Sequence, residues 1–371
     1  MKPSRLLFYC RAGFEKECAQ EVAALAGAMG VDGFFKARPG SGFAVFQAHQ
    51  DAMGAELGER LEYARLVFPR QMVRATGLVA LAEGDRVTPI AIAARTLGSA
   101  FRELWIEMPD TNEGKSLATL TRPLRAHLEK GLARAGVRID DAGARERLHV
   151  FFVGGLACHV GVSEPGNASA WPMGIPRLRS AAAAPSRSAP KLAEALMEFV
   201  DGGARHSPRI TPGMTAVDLG ASPGGWSWQL ARRGFMVTAV DRGPMDAKLL
   251  DSGQVKHRRE DGFHYRPPEP VDWMTCDMVE SPSRIAALVA RWIASGWCRE
   301  SIFNLKLPMK RRWEEVERCR AIIDEALGGA GYFLRMKHLY HDREEVTGYL
   351  SRRPTQSQPP PRNHEPANRH Q

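Results

Sequence analysis

The sequence lacks long apolar runs, paired-cysteine spacings and any excess of acid. No stretch reaches the length of a membrane span, and the apolar run after Met1-Lys2-Pro3-Ser4-Arg5 is too short for a signal peptide. A cytoplasmic protein is therefore expected. Its six cysteines, Cys10, Cys18, Cys158, Cys276, Cys298 and Cys319, contain no C-x-x-C. They read as reduced thiols, not a disulfide frame or a zinc site, and no metal is expected. Acidic residues number 42 against 51 basic ones, a net charge of +9. Such a balance favours a polyanionic partner, nucleic acid first and an anionic membrane surface second. At 371 residues the chain is long enough for two or three domains with their own cores.

The most informative stretch is Val217-Asp218-Leu219-Gly220-Ala221-Ser222-Pro223-Gly224-Gly225-Trp226. An apolar run from Met214 to Leu219 predicts a buried strand, the glycines a tight turn, and Trp226 to Leu230 the start of a helix. The spacing is G-x-x-x-G-G, so it is neither the dinucleotide fingerprint nor a P-loop, and no pyrophosphate cradle is expected. Glycine would allow a ligand to lie against the backbone there, beside the unpaired N–H groups of the helix start. A second strand, Met236 to Val240, ends in Asp241, where a doubly wound fold places the carboxylate that grips a ribose diol. Strand, glycine loop, helix, strand and terminal Asp together resemble the S-adenosylmethionine site of Rossmann-like methyltransferases.

Five stretches follow along the chain. Residues 1–60 start β-α-β, with strands at 5–10 and 43–46 and a helix over 14–29, which suits a ferredoxin-like module. Residues 61–162 form a second unit, with helices at 87–97 and 117–135 and strands at 101–107 and 149–162, the last turning at Gly154-Gly155. Lys115, Arg122, Arg125, Lys130 and Arg134 mark an RNA-facing surface or a solvated helix face. Residues 163–190 hold five prolines with Arg177, Arg179 and Arg187 and read as a basic linker. Residues 191–350 alternate strand and helix, the pattern of a mostly parallel sheet covered on both faces. Residues 351–371 are poor in apolar side chains and are expected to be a disordered tail.

Catalytic candidates fall at strand ends, where α/β sites form. Asp277 follows the strand 271–276, Lys306 ends the strand 301–307, Glu345 opens the last strand, and Lys191 starts the helix before the glycine loop. A ribose 2′-hydroxyl is a weak acid, so methylating it calls for a base in line with the methyl donor. A lysine base must be neutral, and burial or a second cation lowers its pKa. On this reading Lys191 helps Lys306 lose its proton, Asp277 orients it, and Glu345 fixes Lys191 or the ribose.

The order Lys191, Asp277, Lys306, Glu345 resembles the K-D-K-E tetrad of RNA 2′-O-ribose methyltransferases. Longer strings are more specific: Ser186-Arg187-Ser188-Ala189-Pro190-Lys191, the Asp218–Trp226 loop, Arg259-Glu260-Asp261-Gly262-Phe263, Asn304-Leu305-Lys306-Leu307-Pro308-Met309-Lys310 and Tyr340-His341-Asp342-Arg343-Glu344-Glu345 resemble the RlmM family. The resemblance runs from Arg5 to about Leu350. It implies a C-terminal Rossmann-like methyltransferase domain with N-terminal α+β ferredoxin-like and THUMP RNA-binding domains. It also implies S-adenosyl-L-methionine as cofactor, and as activity 2′-O-methylation of a cytidine of 23S rRNA near the peptidyl transferase centre. Cofactor contacts are implied at Ser188, Ser222, Pro223, Gly224, Gly225, Asp241, Asp261 and Asp277, with Lys306 as proton acceptor. A monomer without an obligate protein partner or membrane is expected. Ser222 stands where the family often has Cys, and the tail matches nothing in it. Two alternatives remain open: methylation of another RNA or atom, and a non-catalytic RNA-binding protein on the same scaffold. An amino-methylating enzyme would be expected to carry an Asn/Asp-Pro-Pro-aromatic motif, and Asp277-Met278-Val279-Glu280 stands in its place.

Overall fold

The computed structural model describes residues 3–178, 182–201, 210–328 and 331–352. Most of the expected tail, and Arg179 of the expected linker, lie outside them. The N-terminal half contains β1 (Arg5–Tyr9), α1 (Glu15–Ala28), β2 (Gly33–Ala37), β3 (Phe43–Ala48), α2 (Asp51–Arg60), β4 (Gln71–Ala80), α3 (Val87–Leu97), β5 (Leu104–Glu107), α4 (Asn112–Ser116), α5 (Ala118–Arg134), β6 (Arg147–Gly154) and β7 (Ala157–Ser163). These strands form one sheet in the order β2-β3-β1-β4-β7-β6-β5. Its first four strands, with α1 and α2, make a β-α-β-β-α-β ferredoxin-like unit. β4 completes that unit against β1 and also pairs with β7. The expected boundary at residue 60 coincides with the end of α2; the ten-residue β4 that follows serves both units, so the two share one continuous sheet.

The C-terminal half contains α6 (Ala189–Phe199), β8 (Thr215–Leu219), α7 (Gly225–Arg232), β9 (Met236–Val240), α8 (Ala247–Asp251), β10 (Val255–Arg258), β11 (Val271–Cys276), α9 (Pro282–Ala294), β12 (Cys298–Lys306), α10 (Arg312–Leu327), β13 (Phe333–Lys337) and β14 (Glu345–Ser351). Its sheet runs β10-β9-β8-β11-β12-β14-β13, parallel from β10 to β12, with β14 antiparallel to β12 and β13. This is the Rossmann-like methyltransferase architecture. β8 and β12 are buried along most of their length, as suits a sheet covered on both faces, by α9 and α10 on one side and α6 and α7 on the other.

The halves share buried surface. One apolar cluster joins Leu6, Phe14 and Phe68 of the first half to Phe303, Val316 and Met336 of the second. The first part of the expected linker is docked as well. Asn167 accepts from Tyr63 N at 2.7 Å and donates to Leu61 O at 2.9 Å, and Arg147 donates to Ser169 O at 2.9 Å. Among the described residues no helix is long and apolar enough to cross a membrane.

Candidate active site

The glycine loop joins β8 to α7, and its conformation is set by protein atoms. Gly220 has φ +76°, and a Cβ there would lie 2.6 Å from Met278 Cγ. Gly224 has φ +121°, and a Cβ would meet Leu249 at 2.6 Å; at Gly225 it would meet Ser186 Oγ at 2.2 Å. The sequence suggested that glycine was needed for a ligand to approach. The structure shows neighbouring side chains closing on these positions, which excludes larger residues whatever is bound.

Below the loop, Asp218 is fully buried and accepts from Ser227 Oγ at 2.7 Å and Thr275 Oγ1 at 2.9 Å. Burial pushes its carboxyl up to about 7. Beside the loop, Asp241 accepts from Ser222 N at 3.1 Å and Gly243 N at 2.7 Å, one bond to each oxygen. Ser222 Oγ donates to Pro244 O at 2.7 Å, and Pro223 O accepts from Asp246 N at 3.0 Å. Ser188 closes the other side: its carbonyl accepts from Trp226 Nε1 at 3.2 Å, and its hydroxyl meets that of Ser186 at 2.7 Å. Asp261, beyond β10, accepts from Phe263 N at 2.9 Å and from Arg242 at 3.2 Å; the Phe263 N–H is the leading cause that holds its carboxyl below the usual value.

These residues fit S-adenosylmethionine by donor chemistry. Carboxylates stand at the carboxyl ends of β9 and β11 and just beyond β10. Each oxygen has capacity left after the bonds above. A ribose diol, an adenine amine and an ammonium group are all donors, and α7 begins with free N–H groups beside them.

The four tetrad candidates come together. Lys306 ends β12 and Glu345 opens β14, and the two are paired directly across the antiparallel ladder. Lys306 Nζ donates to Glu345 Oε2 at 2.6 Å and also bonds Asp277 Oδ1. Lys191 Nζ spans both oxygens of Glu345, at 2.6 and 2.7 Å, and lies 4.0 Å from Asp277. Two lysines and two carboxylates thus form a formally neutral cluster.

One expectation fails here. Burial by itself would lower Lys306, but Asp277 and Glu345, by charge and by hydrogen bond, outweigh it and raise its pKa above 10.5. Lys191 was expected to push Lys306 down; instead it is taken up by Glu345. Burial likewise pushes Glu345 up, and the two lysines prevail and hold it below the usual range. At rest Lys306 is an ammonium ion.

The sequence reading missed Asn304. Strand alternation puts it on the face that carries Lys306, opposite Thr347. Its amide nitrogen donates to Asp277 Oδ1 and Glu345 Oε2, each at 3.0 Å, and its oxygen accepts from Thr347 Oγ1 at 2.7 Å. Thr347 Oγ1 also lies 2.9 and 3.1 Å from the two oxygens of Asp342, which is fully buried and raised well above the usual range by that burial. Thr347 has a single hydroxyl proton to share between Asn304 and Asp342; with a proton on Asp342, Asp342 would donate to Thr347 and Thr347 to Asn304. The only signal in the sequence was the two-residue step from Asn304 to Lys306.

The segment between β13 and β14 is held from both halves. Glu194 on α6 accepts from Tyr340 N at 2.8 Å, His341 N at 2.9 Å and His341 Nδ1 at 2.6 Å. From the N-terminal half, Arg70 donates to Leu339 O at 3.1 Å and Arg11 to Asp342 O at 2.9 Å. The ferredoxin-like unit therefore helps to set the segment that delivers Glu345.

Known proteins match this chain along most of its length. Three family descriptions cover successive stretches: RlmM ferredoxin-like domain over residues 3–73, ribosomal RNA large subunit methyltransferase M, N-terminal, over 85–164, and FtsJ-like methyltransferase over 184–292. The chain is 50% identical over 352 residues to ribosomal RNA large subunit methyltransferase M of Methylococcus capsulatus, covering 94% of this chain and 98% of that one. It is also 50% identical over 352 residues to the protein of that name from Aromatoleum aromaticum, covering 94% and 95%. Against the one from Marinomonas sp. it is 46% identical over 344 residues, covering 92% and 97%.

Proposed function

The chain belongs to the ribosomal RNA large subunit methyltransferase M family, and from that premise we propose that its target is the ribose 2′-hydroxyl of a cytidine in 23S rRNA near the peptidyl transferase centre. It is an S-adenosylmethionine-dependent rRNA methyltransferase. The observation that carries the finer reading is the convergence of Lys191, Asp277, Lys306 and Glu345 around Asn304.

When bound, S-adenosylmethionine supplies an electrophilic methyl group on a positively charged sulfur. Asp241, Asp261 and Asp277 would accept from donor groups of the cofactor, and the Ser222–Gly225 loop and Ser188 would border it. Lys306 takes the 2′-hydroxyl proton from its minor neutral form, a population that an added cation nearby increases. Lys191 and Asn304 keep Glu345 and Asp277 in place throughout. The raised pKa of Lys306 favours a second reading as well: Lys306 stays charged and donates to the developing alkoxide while a carboxylate receives the proton.

The first half of the chain, with its THUMP-type unit over 61–162, supplies RNA affinity through phosphate contacts, and the protein acts as a cytoplasmic monomer. The direct test is tritiated methyl transfer to rRNA from cells lacking the enzyme, followed by mapping of alkali-resistant linkages. A single resistant linkage 3′ to a cytidine of 23S rRNA is the expected result. Label in a base would overturn the 2′-O assignment.

A further inference from the structure

Val279 and Met309 are the most exposed large apolar side chains among the described residues, at 90% and 81%. Scattered exposed apolar side chains are ordinary, but these two share an address. Val279 lies just past Asp277 and Met309 just past Lys306. The strands that end there, β11 and β12, are parallel neighbours paired through Cys276 and Phe303. After β11 the chain divides its apolar residues. Met278 turns inward, close enough that a Cβ on Gly262 would lie 2.8 Å from its sulfur, and Val279 is left in solvent. After β12, Leu307 is buried, whereas Pro308, Met309, Lys310 and Arg311 are all exposed. Lys310 and Arg311 make no side-chain ion pair among the described residues. Arg311 is held at φ 57°, a conformation that costs an arginine more than it would a glycine.

Resting on the ribose-methylation reading, we propose that Val279 and Met309 form an apolar wedge that enters the RNA stack beside the target nucleotide, while Lys310 and Arg311 hold the flanking phosphates. A 2′-hydroxyl can reach Lys306 only if its ribose turns out of the surrounding RNA, and the neighbouring bases then face a gap. Apolar side chains fill such gaps between base steps, and cations at the rim bind the backbone. The charge of Lys310 and Arg311 selects RNA over a protein partner as the occupant.

The test uses the full-length protein and a structured 23S rRNA fragment with 2-aminopurine next to the target cytidine. Wild type should raise the fluorescence on binding, and Val279→Ser/Met309→Ser should not. Its kcat/KM on this fragment should fall by on the order of 10- to 100-fold, the loss expected for one or two apolar burials. On an unpaired oligonucleotide with the same cytidine the variant should stay close to wild type. Val279→Leu/Met309→Leu should recover both readouts. Both substituted side chains are exposed, so the fold is not at stake. Wild-type fluorescence and rate in the serine variant, or equal losses on both RNAs, would overturn the wedge. Lys306→Ala separates the two readings: it should slow transfer by about 10²–10⁴-fold and keep the fluorescence rise. Methyl mapped to a base would sink the 2′-O reading and leave the fluorescence comparison to judge the wedge.

Discussion

Lys306 and Lys337 end β12 and β13, the two strands that flank β14 in the same sheet; both are withdrawn from solvent and both stand near carboxylates, yet their proton affinities move in opposite directions. Lys306 donates to two carboxylates and is raised. Lys337 lies in the seam between the halves, where it donates to Leu66 O at 2.9 Å and Tyr63 O at 3.3 Å and stands 3.6 Å from the Tyr63 ring centre. Full burial lowers it to about 8, and the pull of Glu198 and Glu21 does not offset that. Glu21, which accepts from Val67 N at 2.6 Å and Phe68 N at 2.9 Å, is raised by burial to about 7. The difference lies in the partners: carbonyl oxygens and a ring solvate an ammonium ion less well than carboxylates in direct contact. Burial alone therefore does not identify a lysine base, since the lysine that loses its proton more readily is at the seam and not in the tetrad.

The comparison breaks most visibly at Lys306. Lys306→Ala should slow single-turnover methyl transfer by about 10²–10⁴-fold, the usual worth of a general base, with cofactor affinity unchanged within a few-fold. Lys306→Arg keeps the charge but cannot give up its proton, so it should be nearly as slow if Lys306 is the base. A fast arginine variant would select the second reading, in which the cation stabilises the alkoxide. With a lysine base, kcat/KM should rise with pH past the ordinary lysine value of 10.5, because the free-enzyme group is raised. Glu345→Gln removes one of the carboxylates and should shift that limb to lower pH. An unmoved limb would assign it to another group.

Asn304→Ala should come next in size. It strips a donor from each carboxylate and leaves Thr347 without its acceptor, a loss of about 1–3 kcal/mol read as a lower unfolding midpoint in denaturant. Unchanged stability would mean that water takes over the amide's role.

The seam gives the smallest effects, read as pH slopes. Because folding lowers Lys337 to about 8 from 10.5, the unfolded chain binds more protons in that window and this lysine makes stability rise with pH there. The slope is at most about 1.4 kcal/mol per pH unit for one proton, and Lys337→Met should remove it. Glu21 has the opposite sign. Its folded pKa of about 7 exceeds 4.5, so its contribution to stability falls as pH rises between those values, and Glu21→Gln should flatten that loss. Urea titrations of wild type and variants across pH 4.5–10.5 measure both.

Much of the second sheet was legible in advance. The strands at β8, β9 and β11 and the helix α10 are long apolar or strictly periodic runs, and their order implied parallel pairing. β2 and β10 were missed: Gly33–Ala37 and Val255–Arg258 are short edge strands with several exposed positions, so neither shows a buried pattern. β4 was missed as a bridge because serving two units at once is a property of pairing and leaves no local mark. At the site, Asp277, Lys306 and Glu345 were found by their places at strand ends and Lys191 at a helix start, whereas Asn304, Thr347 and Asp342 have no motif of their own. Arg11 and Arg70 are legible only as two arginines among many until the fold brings them to the segment before Glu345.

The sequence by itself determined the family, the glycine loop, the carboxylates at successive strand ends and the identity of the four charged residues, because apolar period and turn chemistry are local. Only the tertiary structure decided their charges. Proton affinity depends on the distance and type of every neighbour, and those neighbours come from α6, β11, β12 and β14, as many as 154 positions apart in the chain. The order Lys-Asp-Lys-Glu was visible in the sequence; that Lys306 rests between two carboxylates and keeps its proton was settled when β14 paired with β12.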